Sequence, residues 1–184
     1  MSNITKEAVM DLREKTGAGL IDCKRALAET NGDLEEAISI LRKKGVASAA
    51  KKAGREAGEG IISNAVTEDR KKGILVEVNC ETDFVAKNED FISFSKEVAQ
   101  TLLSEPEADL ENKRTEQVGK IGENIKISRY QIVEVVTNGI VESYVHTGAK
   151  VAVMISIVSS NTEDLSSNES AVSLAKDLCM HIAA

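Results

Sequence analysis

Near residue 60 the spacing of apolar side chains changes from three or four to two, which limits the chain to folds joining a helical part to a sheet. Upstream, TKEAVMDLREKT puts Val9 and Leu12 on one helical face before Gly17-Ala18-Gly19 breaks the run. LIDCKRALAET repeats the pattern with Leu20, Cys23 and Leu27 and ends at Asn31-Gly32. Asp33 can cap a third helix with Leu34, Ala37, Ile38 and Leu41 on its apolar face and Gly45 as its stop. Helices this short do not persist alone in water, so residues 1–45 are expected to form a three-helix bundle. VASAAKKAGREAGEG, residues 46–60, has no large apolar residue after Val46 and reads as a linker that can be helical in part.

Downstream, IISNAV and GILVEVNC flank TEDRKK as a hairpin. Its second strand turns Ile74, Val76, Val78 and Cys80 one way and Leu75, Glu77 and Asn79 the other. A helix follows with Phe91, Phe94, Val98 and Leu102 on one stripe and Pro106 just past its end. After a more polar helical stretch around ENKRTEQVGKIG, strands return at residues 125–136, 140–146 and 151–158. Asn138-Gly139 and Thr147-Gly148 read as tight turns, which predicts that these three strands are antiparallel neighbours. SAVSLAKDLCMHIAA closes the chain as an amphipathic helix with Val172, Ala175, Leu178, Cys179 and Ile182 on its inner face. Separate runs of strands flanked by helices give an α+β class, an antiparallel-sheet core behind a helical module.

Composition removes several function classes. With 42% hydrophobic and 29% charged residues and one proline, the chain has the material for a core. Residues 1–60 are close to neutral and the remainder is strongly acidic, carrying all of the net charge of −7 and slightly more, which argues against direct nucleic-acid binding. The basic stretch from Ser39 to Arg55 fits the carboxyl end of a helix. The glycines of GREAGEG follow no strand and precede no Lys-Ser or Lys-Thr, so no nucleotide cofactor is expected. His146 and His181 lie in different elements without a paired ligand, so no metal site is expected either. The first residues, MSNITKEAVMDLREKTG, contain no apolar run of signal or membrane-span length, and a cytoplasmic protein with no membrane contact is expected. Cys23, Cys80 and Cys179 are too scattered for a disulfide framework. Cys80, at a strand end before a helix, has the position of an activated nucleophile, but Glu81 and Asp83 oppose a thiolate and its alternation points inward. A buried thiol is the preferred reading, and covalent catalysis is not expected.

All three phenylalanines lie within NCETDFVAKNEDFISF, residues 79–94. Phe91 and Phe94 have an evident use in a core. Phe84 precedes Phe91 by seven residues, so a helix capped by Thr82 would put both on one stripe. Lys87, Asn88, Glu89 and Asp90 interrupt that stripe, and Asn88 or Asp90 could cap a separate helix. The pattern leaves a core Phe84 and an exposed, partner-binding Phe84 equally open.

LREKTGAGLIDCKRAL, EVNCETDFVAKNEDF, KIGENIKI and MHIAA, spread in order over nearly the whole chain, together resemble elongation factor Ts, the bacterial guanine-nucleotide exchange factor of elongation factor Tu. The resemblance implies a first module similar to a ubiquitin-associated domain that contacts the GTPase, with Arg13, Leu20, Ile21 and Lys24 on the matching motif. It implies that the TDFV turn is inserted near the GTPase magnesium site. Asp83 and Phe84 would be the intruding pair, with Thr82 and Val85 holding the turn. His146, in SYVHTG, and Ile125, in KIGENI, would lie at the same interface. Elongation factor Tu, GDP-bound or nucleotide-free, is the implied partner, and exchange would involve no covalent chemistry. The implied core divides into residues 61–136 and a partial second subdomain, residues 137–184. Longer members continue past MHIAA into a helical hairpin used for dimer formation, so an exposed edge is expected here. A second reading of the residues is an adaptor that binds ubiquitin or another small protein through the Gly17-Ala18-Gly19 turn.

Overall fold

A computed structural model describes residues 4–160 and 164–184. In chain order its elements are α1 (Lys6–Thr16), α2 (Leu20–Glu29), α3 (Leu34–Lys52), β1 (Glu59–Val66), β2 (Lys72–Cys80), α4 (Asp83–Ala86), α5 (Glu89–Ser104), α6 (Glu111–Ile121), β3 (Lys126–Glu134), β4 (Gly139–Val145), β5 (Ala152–Val158) and α7 (Glu169–Ala183). The class is α+β, with antiparallel sheets. Two compact units are formed: residues up to Glu56 together with Glu111–Ile125, and Ala57–Leu110 together with Lys126–Ala184.

In the first unit, the Thr5 hydroxyl caps α1 by accepting from the Ala8 N–H at 3.2 Å. Gly17 ends the helix at φ +64°, a left-handed conformation that suits glycine, with its N–H on the Arg13 carbonyl. The Asp33 carboxylate caps α3 through the Glu36 N–H at 2.9 Å. Leu12, Cys23, Ala26, Leu27, Ala37 and Leu41 form the core between the three helices. The expected stop at Gly45 does not occur. Here Gly45 stays helical, and α3 runs on through residues 46–52 of the expected linker. Gly45 faces α6 there: a Cβ built on Gly119 of α6 would lie 3.6 Å from the Gly45 Cα, in ordinary contact. That approach joins α6 to α3, so residues 111–125 group with the first helices and not with the 61–136 core in which the sequence reading placed them.

In the second unit, β2 is the central strand of a β1-β2-β3 sheet. Ile74, Val76, Val78 and Cys80 are fully buried, as their alternation predicts. Ser63, opposite Val76 in the register, meets Ser95 of α5 at 2.7 Å, so this face of the sheet carries α5. The other face meets a second sheet made of β4 and β5. Asn64 Nδ2 donates to Ser143 Oγ at 2.8 Å, and a Cβ on Gly73 would come within 2.8 Å of Val141 Cγ1 and 3.0 Å of Met154 Sδ.

The expectation that the last three strands are neighbours is only half met. β4 pairs with β5, whereas β3 pairs with β2. Asn138-Gly139 therefore makes a crossing between sheets, not a hairpin. The crossing is held by the β1–β2 loop: the Val135 N–H donates to the Lys71 carbonyl, the Val141 N–H to the Arg70 carbonyl, and Lys71 Nζ to the Gly139 carbonyl. Arg70 also pairs with the buried Glu142. Helix α7 packs on β4 and β5 through Ala175 and Cys179. Leu178 and Ile182, expected to face inward with them, are exposed along with Leu174, because two strands are too narrow to cover more than the Ala175–Cys179 line.

Candidate functional site: a capped turn and a hairpin tip

The chain leaves β2 at Cys80, which pairs with Glu59 at the start of β1. Cys80 is buried and its thiol donates to the Thr82 carbonyl at 3.2 Å, which ties the strand end to the following turn. The buried-thiol reading of Cys80 is thus met. The same holds for Cys23 and Cys179, whose thiols burial pushes to higher pKa.

Thr82 is extended and its hydroxyl accepts from the Val85 N–H at 3.3 Å, capping α4. After one turn the helix is closed by the Lys87 N–H on the Phe84 carbonyl and the Asn88 N–H on the Val85 carbonyl. Asn88 then caps α5, its Oδ1 accepting from Asp90 N–H at 2.8 Å and Phe91 N–H at 3.4 Å. Two caps six residues apart make two helices, and the seven-residue stripe from Phe84 to Phe91 does not exist. Ala86 is buried and Val85 half-buried, which seats the turn, while the Phe84 side chain is 81% exposed. Phe91 and Phe94 are buried under it in sequence, in the core of α5. The open choice at Phe84 resolves to exposure.

Asp83 lies in the first turn of α4 and its carboxylate accepts from Lys87 Nζ at 2.8 Å. The hydrogen bond and charge of Lys87 hold the Asp83 carboxyl below its ordinary range, and Asp83 holds the Lys87 ammonium above its own.

A second element reaches the same start of β1. The tip of the β4–β5 hairpin is closed by the His146 N–H on the Val151 carbonyl at 2.9 Å and the Ala149 N–H on the His146 carbonyl at 2.8 Å. Ala149 sits at φ +55°, a region that disfavours a side chain, and is held there because its carbonyl also accepts the Ile62 N–H at 2.7 Å. Lys150 adds an ion pair to Glu59. His146 is exposed, with its ring edge-to-face on Tyr144 at 6.0 Å and its Nδ1 3.3 Å from the Tyr144 hydroxyl. Residues 59–62 of β1 thus anchor the His146 tip, and β1 also packs against α4. Glu59, Lys150 and Tyr144 were not singled out from sequence. Lys87 was legible only as an interruption, although Asp83 and Lys87 stand at the i, i+4 spacing that favours an ion pair.

In the first unit, Arg13, Leu20, Ile21 and Lys24 are all exposed. Leu20 at 47% and Ile21 at 74% are both exposed at the start of α2, Leu20 at the open end of the face that buries Cys23 and Leu27 and Ile21 turned away from it. Ile125 departs from its expected place at an interface. Its side chain is fully buried and its carbonyl accepts from Arg114 Nη1 at 2.9 Å, which makes it a support of the α6 end. Among the described residues no group of three His, Cys, Asp or Glu could hold a metal ion, and no helix is long and apolar enough to cross a membrane.

A family profile described as elongation factor Ts matches residues 81–184, from the turn onward. The elongation factor Ts of Clostridium perfringens is 46% identical over 195 residues, covering 98% of this chain. The chain belongs to the elongation factor Ts family. Elongation factor Ts of Hydrogenovibrio crunogenus is 45% identical over 195 residues and covers 98% of the chain. That of Chloroherpeton thalassium is 43% identical over 201 residues and covers all of it. The chain spans 62% of the length of the first two relatives and 67% of the third.

Proposed function

We propose that this chain acts in translation elongation as a cytoplasmic guanine-nucleotide exchange factor, binding elongation factor Tu in its GDP-bound and nucleotide-free forms and promoting GDP release. The observation that carries the reading is Phe84: an 81% exposed aromatic ring on a one-turn helix capped at both ends and seated on the sheet. A capped turn with one projecting ring has the form of an interface anchor. The reading gives Asp83 and Phe84 the intruding role, Thr82 and Val85 the support of the turn, and His146 a contact from the neighbouring hairpin tip. Arg13, Leu20, Ile21 and Lys24 supply a second contact from the three-helix module.

Such a factor needs no reacting group. Magnesium holds nucleotide phosphates in near-octahedral geometry, so a wedge that shifts its support weakens ion and diphosphate together. Burying one Phe supplies about 2 to 3 kcal/mol, enough for on the order of a hundredfold bias toward the opened site. Coupling is reciprocal, so nucleotide rebinding expels the factor by the ratio with which the factor expels nucleotide.

The test is release of a fluorescent GDP from elongation factor Tu. Added chain speeds release, and Phe84→Ala reduces the acceleration by about tenfold or more. Equal rates with and without the chain would sink the proposal. The exposed Leu20–Ile21 pair also suits the adaptor reading. Titration with ubiquitin distinguishes the two, since saturable binding lost in Ile21→Ala, with no effect on GDP release, would favour the adaptor.

A further inference from the structure

We propose that Lys87 is the positioning residue of the exchange turn: it fixes the Asp83 carboxylate and travels with it as counter-ion when Phe84 is buried in the partner. The inference rests on the exchange reading above and adds to it a residue that acts through Asp83.

A helix of one turn has almost no intrinsic stability, because its nucleation is unfavourable and α4 makes too few bonds of its own to offset that cost. Thr82 holds its amino end, and the Lys87 N–H meets the carbonyls of Phe84 and Val85 at the other. The Lys87 side chain then reaches back along the helix to Asp83 Oδ2 at 2.8 Å, bridging first turn and cap across one face. Asp before Lys at this spacing is the favourable orientation, and the acid also suits the helix amino end. Phe84 projects between the two charged groups in sequence and off their shared face.

The exposed pair does little for the free protein, since ion pairs in water are screened and flexible. Docking changes the balance. A carboxylate carried beside a buried ring loses water, and without a partner that loss opposes binding; with Lys87 already bonded to it, the pair enters as a neutral unit. A further acid–base pair stands close by. Glu59, at the start of β1, is bonded to Lys150 of the hairpin tip, and its charge also acts on Lys87.

The experiment is a double-mutant cycle on GDP release with the whole chain and GDP-loaded elongation factor Tu, using Lys87→Met, Asp83→Asn, the double variant and Lys87→Arg. Lys87→Met is expected to slow exchange about tenfold or more, as for truncating one member of a desolvated charge pair, with an unchanged unfolding midpoint. In the Asp83→Asn background Lys87→Met should cost nothing further, and Lys87→Arg should restore exchange to within about threefold of the parent chain by keeping the charge and donor. Full exchange by Lys87→Met, or an equal loss in both backgrounds, overturns the proposal. Phe84→Ala runs beside these as a control: if it exchanges normally the exchange reading itself fails, whereas if it is slow and Lys87→Met is not, only the role of Lys87 fails.

Discussion

Helices α4 and α5 are consecutive, separated by Lys87 and Asn88, and both carry phenylalanine, yet they use it in opposite ways. On α5, Phe91 has no exposed surface and Phe94 is buried with Val98, Ala99 and Leu102 against the sheet. On α4, Phe84 stands in solvent. What differs is the length of helix available to each. Sixteen residues of α5 cover the β1–β2 face with an apolar stripe that must be filled. Four residues of α4 cannot cover anything, and the turn is seated by Ala86 and Val85 alone. A ring on a long amphipathic helix is part of the stripe, and a ring on a capped single turn is free to point elsewhere.

The largest expected contrast is in stability. Phe91→Ala should cost about 3 to 5 kcal/mol, since it leaves a cavity in a packed layer. Phe84→Ala should fall within about 0.5 kcal/mol of the parent chain, as for an exposed position. Urea unfolding of the two variants measures both, and similar losses would erase the distinction drawn between the helices.

A smaller effect tests the contact that locks α5 to the sheet. Ser63 and Ser95 are buried and hydrogen-bonded to each other at 2.7 Å. Ser63→Ala leaves the Ser95 hydroxyl without that partner and should cost about 1 to 3 kcal/mol. Adding Ser95→Ala should recover part of the loss, because two matched methyl groups strand no hydroxyl. Denaturant midpoints of the three variants decide it; an additive loss would mean the hydroxyls do not act as a pair.

How much of this contrast can be read from the chain depends on the range of the interactions. The α+β class, the inward alternation of Ile74 to Cys80 and the core stripe of α5 follow from local periodicity, and all are found. Phe84 was undecidable because Thr82 and Asn88 are both good caps, and only the three-dimensional structure shows that both are used. Gly45 read as a stop because glycine often ends helices, while its packing against Gly119 involves a residue far along the chain. Asn138-Gly139 read as a hairpin because the β1–β2 loop that captures residues 135 and 141 is likewise distant. The Glu59–Lys150 pair leaves no local signal for the same reason: 91 residues separate the two.

The two caps predict effects that differ in place more than in size. Asn88→Ala removes the acceptor for the Asp90 and Phe91 N–H groups and should lower global stability by about 1 kcal/mol, because α5 belongs to the core. Thr82→Ala should leave the unfolding midpoint nearly unchanged while amide exchange quickens at Val85 and its neighbours, because α4 can open by itself. Hydrogen exchange resolved by residue separates these outcomes. Protection lost throughout α5 in Thr82→Ala would show that the turn and the long helix are one cooperative unit.

The smallest effect belongs to the ion pair on α4, and pH reveals it. The Asp83 carboxyl is held below its ordinary value of 3.8, chiefly by the hydrogen bond from Lys87 and then by its charge. A carboxyl depressed on folding contributes stability above the unfolded value, and that contribution disappears as pH falls through the folded value. The contribution to α4 is therefore intact at neutral pH and lost only in acid below 3.8, whereas α5 is held by burial that does not titrate. Carboxyl-carbon NMR of Asp83 should give a midpoint below 3.8 that Lys87→Met raises toward it, with the global unfolding midpoint at neutral pH unchanged. An Asp83 midpoint indifferent to Lys87→Met would mean that the two groups separate in solution, and that the caps and the Val85–Ala86 seat are enough to hold a single turn of helix in place.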